Sequence, residues 1–235
     1  MRKLLISVLL LTTVFFLDGC MFPDEEKAEN KVPYQEQIQS VQKAVEQFQK
    51  QNGGILPIQT KDENVPIYQK YLIDFKKLVP QYLPEPPGNS YENGGIFQYV
   101  LLDVEKKPVV KIFDLRIAET IRELEIRIQS HGYPPFKKEI APNVYTLDYK
   151  KLGYKEEPMV TSPYSQKNLP LVITGDGKIY VDYRMDLYEA LKNNKHAYKP
   201  GEDIRPLLTQ HSFFVPAYSL PYTVNEKNEP VFMKK

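Results

Sequence analysis

Cys20 is the residue whose neighbours point most directly to chemistry, because they resemble the end of an export signal. Arg2 and Lys3 precede a largely apolar run, Leu4–Leu17. That run is shorter than the roughly 20 residues that span a bilayer and has the length of a signal-peptide core. Leu17-Asp18-Gly19-Cys20 places an aliphatic and a small residue before the cysteine, as a lipobox does. The pattern predicts a signal peptide over residues 1–19 and a Cys20 that carries diacylglycerol and an N-acyl chain such as palmitate.

Lipidation of Cys20 would hold the mature chain at the membrane surface. Two or three acyl chains, each contributing about 0.8 kcal/mol per buried CH₂, anchor a protein durably, whereas one chain is marginal. We therefore expect the extracytoplasmic face of the cell membrane, with membrane lipid as one partner. The alternative is an ordinary cleaved signal, or a signal-anchor, with a free thiol, and Asp18 stands where a small uncharged residue is commoner. Cys20 is the only cysteine, so a lipidated chain keeps no thiol for a disulfide or for nucleophilic attack.

The other residue types that carry catalysis form no recognisable set. None of the histidines, His131, His196 and His211, has a second metal-type ligand three or four residues away. No G-x-S-x-G motif occurs, and Ser162 and Ser165 lie in a turn-forming stretch. The sequence therefore predicts no catalytic residue, no metal site, no cofactor other than the covalent lipid, and no enzyme activity.

The charge balance gives no reason to expect a polyanionic partner. The chain carries 31 Lys and Arg against 30 Asp and Glu, a formal net charge of +1. A surface of this kind does not attract nucleic acid, so we expect no nucleic-acid partner. With 42% hydrophobic and 12% aromatic residues, the chain can bury a core, which predicts a folded exported body.

The elements that must position any functional surface follow a polar tether. Residues 20–33 form the lipidated N-terminus and a charged, proline-bounded segment that reaches at most about 45 Å when extended. Beyond it, the same markers recur in the same order: an amphipathic helix, a short Asp-capped turn, a proline- or serine-rich loop and a β-hairpin. The recurrence predicts a duplicated unit, with chance similarity as the alternative.

The first repeat unit spans residues 34–113 and begins with a helix over Gln35–Gln51, after which Asp74 caps a short turn. The apolar residues of that helix share one face: Ile38, Val41, Ala44, Val45 and Phe48. The second unit, residues 114–185, begins with a helix capped by Asp114.

The second unit repeats these markers, and a third copy repeats only some of them. In the second unit, Asp148-Tyr149-Lys150-Lys151-Leu152 repeats the capped turn that begins at Asp74. A partial third unit with a C-terminal tail occupies residues 186–235. It would open with a helix that Asp186 begins, by analogy with Asp114.

Each unit ends in a predicted hairpin. The strand pairs are 96–102 with 108–113, 169–174 with 178–183, and 221–224 with 229–233. A lone two-stranded ribbon is marginal in water, so the units must pack on each other or share a sheet. Hairpin connections favour antiparallel pairing. The expected fold is α+β: tandem helix–short helical turn–β-hairpin units, two full copies and one partial, packed into one body.

Tyr91, Tyr164 and Tyr218 are the candidate binding residues, because each comes just before a predicted hairpin. Rings at matched positions could form an exposed row that contacts a peptide, a glycan or a partner protein. Core packing of a repeated unit is the alternative, and the sequence leaves both open.

Several stretches resemble the YphF family of lipoproteins of bacilli. They are Val32–Gln35, Phe48–Lys50, Tyr71–Leu78, Glu85–Gly88, Thr146–Lys151, Thr161–Ser165 and Tyr180–Tyr183, and they extend over nearly the whole chain. The resemblance implies a membrane-anchored exported protein of a Gram-positive, spore-forming lineage with no established activity, and it supplies no catalytic residues. Some members are labelled solute-binding proteins of transporters.

Three functions are therefore open. The leading hypothesis is a lipid-anchored cell-envelope lipoprotein that binds an envelope protein or a cell-wall partner and catalyses nothing. The alternative is a solute-binding lipoprotein of an ABC-type transporter, which would need two βαβ lobes around a cleft. An envelope hydrolase would need a buried carboxylate with a shifted pKa, or a Ser–His pair, to form on folding.

Overall fold

The computed structural model describes residues 34–59, 61–62, 64–193 and 197–233 of the chain. The predicted signal peptide, Cys20, the tether and His196 lie outside these described residues. Within them, no helix combines the length and the apolar character needed to cross a bilayer.

The helices follow the predicted order. The α-helices of the described residues are α1 (Tyr34–Gln51), α2 (Ile67–Lys70), α3 (Leu115–His131), α4 (Arg184–Asn193) and α5 (Pro206–Gln210). Short 3-10 helices span Phe75–Lys77, Tyr91–Asn93 and Tyr149–Leu152.

The strands pair in antiparallel fashion throughout the described residues. They are β1 (Phe97–Leu102), β2 (Val109–Asp114), β3 (Phe136–Ala141), β4 (Val144–Leu147), β5 (Met159–Thr161), β6 (Asn168–Thr174), β7 (Ile179–Val181), β8 (Tyr222–Val224) and β9 (Pro230–Phe232). β1 pairs with β2 and β8 with β9, while β3, β4, β6 and β5 form one sheet in that order, with β7 also on β6. The predicted α+β class with antiparallel pairing is confirmed.

α1 forms because its apolar residues recur on one face and its end can turn. Ile38, Val41, Ala44 and Val45 are all at most 4% exposed, as the sequence predicts. Burying each of the larger side chains contributes about 1.5–3 kcal/mol. Gly53 and Gly54 follow the helix with φ of 65° and 88°, a left-handed conformation that glycine adopts without strain.

α3 begins and ends where its capping residues predict. Asp114 accepts a hydrogen bond from the Arg116 amide at 2.9 Å, and the buried face is Ile117, Ile121 and Leu124. Gly132, with φ of 95°, ends the helix directly after His131. Charged residues at the other positions leave the opposite face in solvent.

The segment 213–218 joins the two halves of the described body, the first half being residues 34–114 and the second half the residues that follow. The Ile112 amide in β2 donates to the Phe213 carbonyl at 2.9 Å, and the Val181 amide in β7 donates to the Tyr218 carbonyl at 2.8 Å. A small apolar cluster forms at this junction and includes Tyr68, Val100, Phe113, Val215 and Ala217. There are also two larger cores. One is built from α1 and β1–β2, and the other from α3, α4 and the five-stranded sheet.

The structure corrects the prediction that Asp186 opens a helix. α4 begins at Arg184, two residues before the predicted boundary, and the Arg184 amide donates to Asp182 at 3.1 Å. Asp182 is thus the counterpart of Asp114, since each follows a hairpin and each binds an arginine two residues later. Asp186 lies inside the first turn of α4 and is buried.

The two Asp-Lys-Lys turns are alike but not identical. Asp74 accepts a hydrogen bond from the Lys76 amide at 3.2 Å, whereas the Asp148 side chain makes no capping bond. Each aspartate pairs with a lysine three residues later, at 3.9 Å in the first turn and 3.8 Å in the second. The repeat units with their boundaries remain a prediction.

Candidate functional site

Two clefts flank α5. The Asp186 cleft, of about 640 Å³, lies between the 163–165 loop, α4 and residues 207–212. The Lys111 cleft, of about 770 Å³, lies between α2, the β1–β2 hairpin and residues 203–210. Gln210 lines both clefts, so α5 forms part of a wall between them.

Asp186 is a buried carboxylate to which no cation of the described residues is bound. The residue is 3% exposed. Its Oδ2 accepts a hydrogen bond from Ser162 Oγ at 2.8 Å and its Oδ1 accepts one from Ser165 Oγ at 2.6 Å. Burial raises the pKa of Asp186, and the two hydroxyl donors oppose that rise. The two hydroxyls therefore satisfy part of the hydrogen-bonding capacity of the carboxylate. Because they are neutral, they do not cancel a negative charge on it.

Ser162 fixes the loop that forms one wall of the Asp186 cleft. Its fully buried hydroxyl accepts hydrogen bonds from the Tyr164 amide at 3.0 Å and the Ser165 amide at 3.1 Å while donating to Asp186. The Gln166 residue that closes the turn has φ of 58°. Serine hydroxyls commonly accept from amides two or three residues later in turns. The loop is therefore fastened to α4 through Asp186.

Tyr164 lines the same cleft, but its hydroxyl is buried. Its ring meets Tyr183 edge to face at 6.1 Å. The Tyr164 hydroxyl is buried and has no hydrogen-bond partner among the described residues. Burial raises the pKa of Tyr164 well above its ordinary value, and the neighbouring Tyr183, Tyr68 and Asp186 raise it further. An unpaired buried hydroxyl costs about 1–3 kcal/mol.

The described lining of the Asp186 cleft contains no lysine or arginine. Its acidic groups are Asp186 and Glu189, and His211 also lines it; Glu189 forms an ion pair with Lys167 on the exposed side of α4. Leu207, Leu208 and Ala190 supply an apolar wall. The cleft thus combines negative charge, hydrogen-bond acceptors and a hydrophobic surface.

The Lys111 cleft has both signs of charge. Lys111 Nζ donates to the Thr209 carbonyl at 2.8 Å and to the Ser212 carbonyl at 2.6 Å. Burial lowers the pKa of Lys111, and Asp103 opposes that shift. Lys111 therefore joins β2 to the end of α5.

Arg205 closes the opposite side of the Lys111 cleft. Its Nε and Nη2 both bind Asp203, the shortest contact being 2.6 Å, and its guanidinium lies 5.2 Å from the Tyr68 ring centroid. Burial raises the pKa of Tyr68 to about 12. Because the arginine, the lysines and three acidic residues line one cleft, its charges balance.

The structure separates the three tyrosines predicted as one binding row. Tyr91 is 63% exposed in a 3-10 helix and lines neither cleft. Tyr218 lies at the junction of the two halves, with φ of 56° and its ring 6.3 Å from Phe113. Among the described residues, no ring contact links any two of the three. Tyr218 packs at the junction of the two halves. Of the three tyrosines, Tyr164 alone lines one of the two clefts.

The histidines of the described residues form no catalytic pair. His131 Nδ1 donates to the Tyr133 carbonyl at 2.9 Å at the end of α3. His211 lines the Asp186 cleft, yet no hydrogen bond in the described part of the chain links it to Ser162, Ser165 or Asp186. No group of three metal-type side chains gathers within the described residues.

Sequence reasoning missed Asp186 as a site residue and Lys111 altogether. The available signal for the first was the Asp-x-Arg pattern, which recurs at 114–116, 182–184 and 203–205. Matching Asp182 to Asp114 would have left Asp186 as an acidic residue inside a helix. Nothing local distinguishes Lys111 from the other lysines of the chain.

Residues 34–114 match a family model described as the YphF family N-terminal domain. The chain is YphF-like. The matched residues run from α1 to the end of β2 and include the Asp114 cap. This YphF-like region supplies Lys111 and one side of the Lys111 cleft, whereas the Asp186 cleft is built from residues beyond it. No curated protein and no solved structure matches the chain.

Proposed function

We propose that this chain is a lipid-anchored binding protein of the cell envelope that catalyses no reaction. In this proposal Cys20 carries the lipid, the body faces the extracytoplasmic side of the membrane, and the Asp186 cleft contacts the partner. The observation that carries it is the cleft itself, which the buried Asp186 carboxylate lines together with Leu207, Leu208 and Ala190. Binding sites characteristically pair an apolar surface with a few placed polar groups.

The hydrolase alternative has one observation in its favour, the buried Asp186 with its raised pKa. Its partners argue for a structural and binding role instead. Ser162 is inaccessible and occupied by two amides, and Ser165 donates directly to a carboxylate, which is a much weaker base than histidine. A serine nucleophile ordinarily needs a base oriented by a third group.

The solute-binding alternative is supported less well than the binding proposal. Transport receptors of that kind would present two βαβ lobes, whereas the described strands pair antiparallel through hairpins. The cleft volumes would nevertheless admit a small solute.

Site-specific photo-crosslinking in intact cells tests the proposal. A photoreactive amino acid at Asn193 or Gln210, both on the rim of the Asp186 cleft, should give the same discrete adduct. The matched control is Lys150, which is exposed and lines neither cleft. Adducts of equal yield from all three positions, or none from the rim, would contradict the proposal.

The anchor is tested separately. Cells fed an alkyne fatty acid should label the wild-type chain and not Cys20→Ala. Equal labelling of both chains would show that the lipid is not on this residue.

A further inference from the structure

We propose that the Asp186 cleft recognises a primary ammonium group carried on a short apolar stem. This inference rests on the proposed binding function and names the chemistry of the ligand. It covers a free small amine and a lysine side chain presented by a peptide, since both offer the same group.

The charge of the cleft selects the sign of the ligand. Asp186 is held by two neutral hydroxyls, and the charged residue next to it on α4, Glu189, is also acidic. Lys167 is the cation that reaches this region, and it is bound to Glu189. Lys167 favours the Asp186 charge, and His211 also lines the cleft. Neither forms an ion pair with Asp186 among the described residues, so a ligand that brings positive charge supplies a bound counterion.

The acceptors select a donor-rich group. Each Asp186 oxygen accepts one hydroxyl proton, and a carboxylate has about four acceptor positions in all, so positions remain for an ammonium proton. The Tyr164 hydroxyl has no partner among the described residues, but it is buried, so the Asp186 oxygens are the acceptors offered to the ammonium.

The occupied oxygens favour ammonium over guanidinium. A guanidinium binds a carboxylate best through two parallel hydrogen bonds, as Arg205 binds Asp203 in this chain. Ser162 and Ser165 take one position on each Asp186 oxygen, which obstructs that two-point approach. An ammonium needs only one point of contact. Leu207, Leu208 and Ala190 then suit the methylene stem behind it.

Titration calorimetry on the full chain in a non-ionic detergent tests the inference. The probe is n-pentylammonium, and 1-pentanol is the neutral control of the same shape. We expect the ammonium to bind at least about 10-fold more tightly than the alcohol, which corresponds to 1.4 kcal/mol. Pentylguanidinium should bind more weakly than pentylammonium. Equal affinity for ammonium and alcohol would overturn the inference.

Variants assign the effect to the cleft. Asp186→Asn should weaken pentylammonium binding by about 10-fold, while the control Asp176→Asn, in the exposed β6–β7 turn, should leave it unchanged. Ala190→Lys keeps Asp186 and adds an ammonium four residues later on α4, a spacing that favours an ion pair. It should block the probe even if Asp186→Asn fails to fold. Unchanged binding in Ala190→Lys would contradict the inference.

Two further comparisons distinguish a free amine from a peptide-borne lysine and distinguish failure of the ammonium inference from failure of the binding function. Binding of Nα-acetyl-lysine N′-methylamide at least as tight as that of pentylammonium supports a peptide-borne lysine, and binding of pentylammonium alone supports a free amine. If neither probe binds while the rim crosslinks persist, the ammonium inference fails and the binding function stands. If the crosslinks fail as well, the binding function fails.

Discussion

Asp186 is buried and Lys111 is half-buried, and these opposite charges have different roles. Asp186 is held by two hydroxyl donors, and Lys111 is held by two carbonyl acceptors. Asp103 lies close enough to Lys111 to favour its charge, whereas the first charge acting on Asp186 is the like-charged Glu189. Asp186 keeps acceptor positions open, and although Lys167 favours its charge, no cation is bound to it among the described residues.

The difference separates a structural group from a binding group. Neutral partners satisfy a polar atom without cancelling its charge, and a buried charge without a counterion is costly. Lys111 uses its charge to join β2 to the end of α5, where helix carbonyls have no partner of their own. Asp186 has no cation bound to it among the described residues and lines a cleft, where a ligand can meet it.

The largest expected effect is that of removing the Lys111 ammonium. Lys111→Met leaves the Thr209 and Ser212 carbonyls without their charged donor and should lower the free energy of unfolding by about 3 kcal/mol. Urea unfolding followed by far-UV circular dichroism measures it. Lys111→Arg is the control and should lose about 1 kcal/mol or less, because it keeps a donor. A loss below about 0.5 kcal/mol in Lys111→Met would show that Lys111 is not structural.

Around Asp186, Ser162→Ala should lower the free energy of unfolding more than Ser165→Ala. Ser162→Ala removes one donor to Asp186 and the acceptor of two amides, and should cost about 2 kcal/mol in urea unfolding. Ser165→Ala removes mainly one donor to Asp186 and should cost about 1 kcal/mol. The reverse order would indicate that the loop is held by Ser165 instead.

The pH dependence of stability should expose the Asp186 charge. Its pKa is raised above the ordinary 3.8 by burial, so the folded state holds the proton longer than the unfolded state does. The stabilisation is complete below 3.8 and is lost as pH rises through the folded pKa, by at most about 1.4 kcal/mol per pH unit. Asp186→Asn should remove this component when the free energy of unfolding is measured from pH 3 to 7. Identical profiles for the two chains would mean that Asp186 is not perturbed.

The smallest effect should come from the charge at the rim. Glu189 is paired with Lys167 on a solvent-exposed part of α4, and both side chains are more than 40% exposed. Glu189→Gln should therefore change the free energy of unfolding by about 0.5 kcal/mol or less. A loss above about 1.5 kcal/mol would remove the distinction between a buried and a solvated carboxylate on this helix.

Prediction from sequence succeeded where one local pattern determines an element. The apolar face of α1, the Asp114 cap and the Gly132 stop are each contained in a few neighbouring residues. β3 escaped prediction because its first four residues, Phe136-Lys137-Lys138-Glu139, are all exposed and so lack the alternation that marks a half-buried strand. Charged side chains of this kind are typical of an edge strand.

The candidate site was harder to predict because its parts are distant in sequence. Tyr164 was named for its position before a hairpin, and the reason it matters is a hydroxyl left without a partner by the packing of Tyr183 and its neighbours. Asp186 was named for the wrong role, since Asp182 lies four residues earlier and takes the cap. Ser162 was given a turn-forming role, which it has, together with a bond to a helix 24 residues away.

The sequence by itself determined the three longest helices, three of the hairpins, the α+β class and the likeness to the YphF family, and it predicted the lipid on Cys20. These depend on spacing and on short motifs, which act within a few residues. The tertiary structure decided which charges lose their water and which of them keep a counterion. Such a decision depends on what packs against a side chain from elsewhere in the chain, as Ser162 and Ser165 do for Asp186 and α5 does for Lys111.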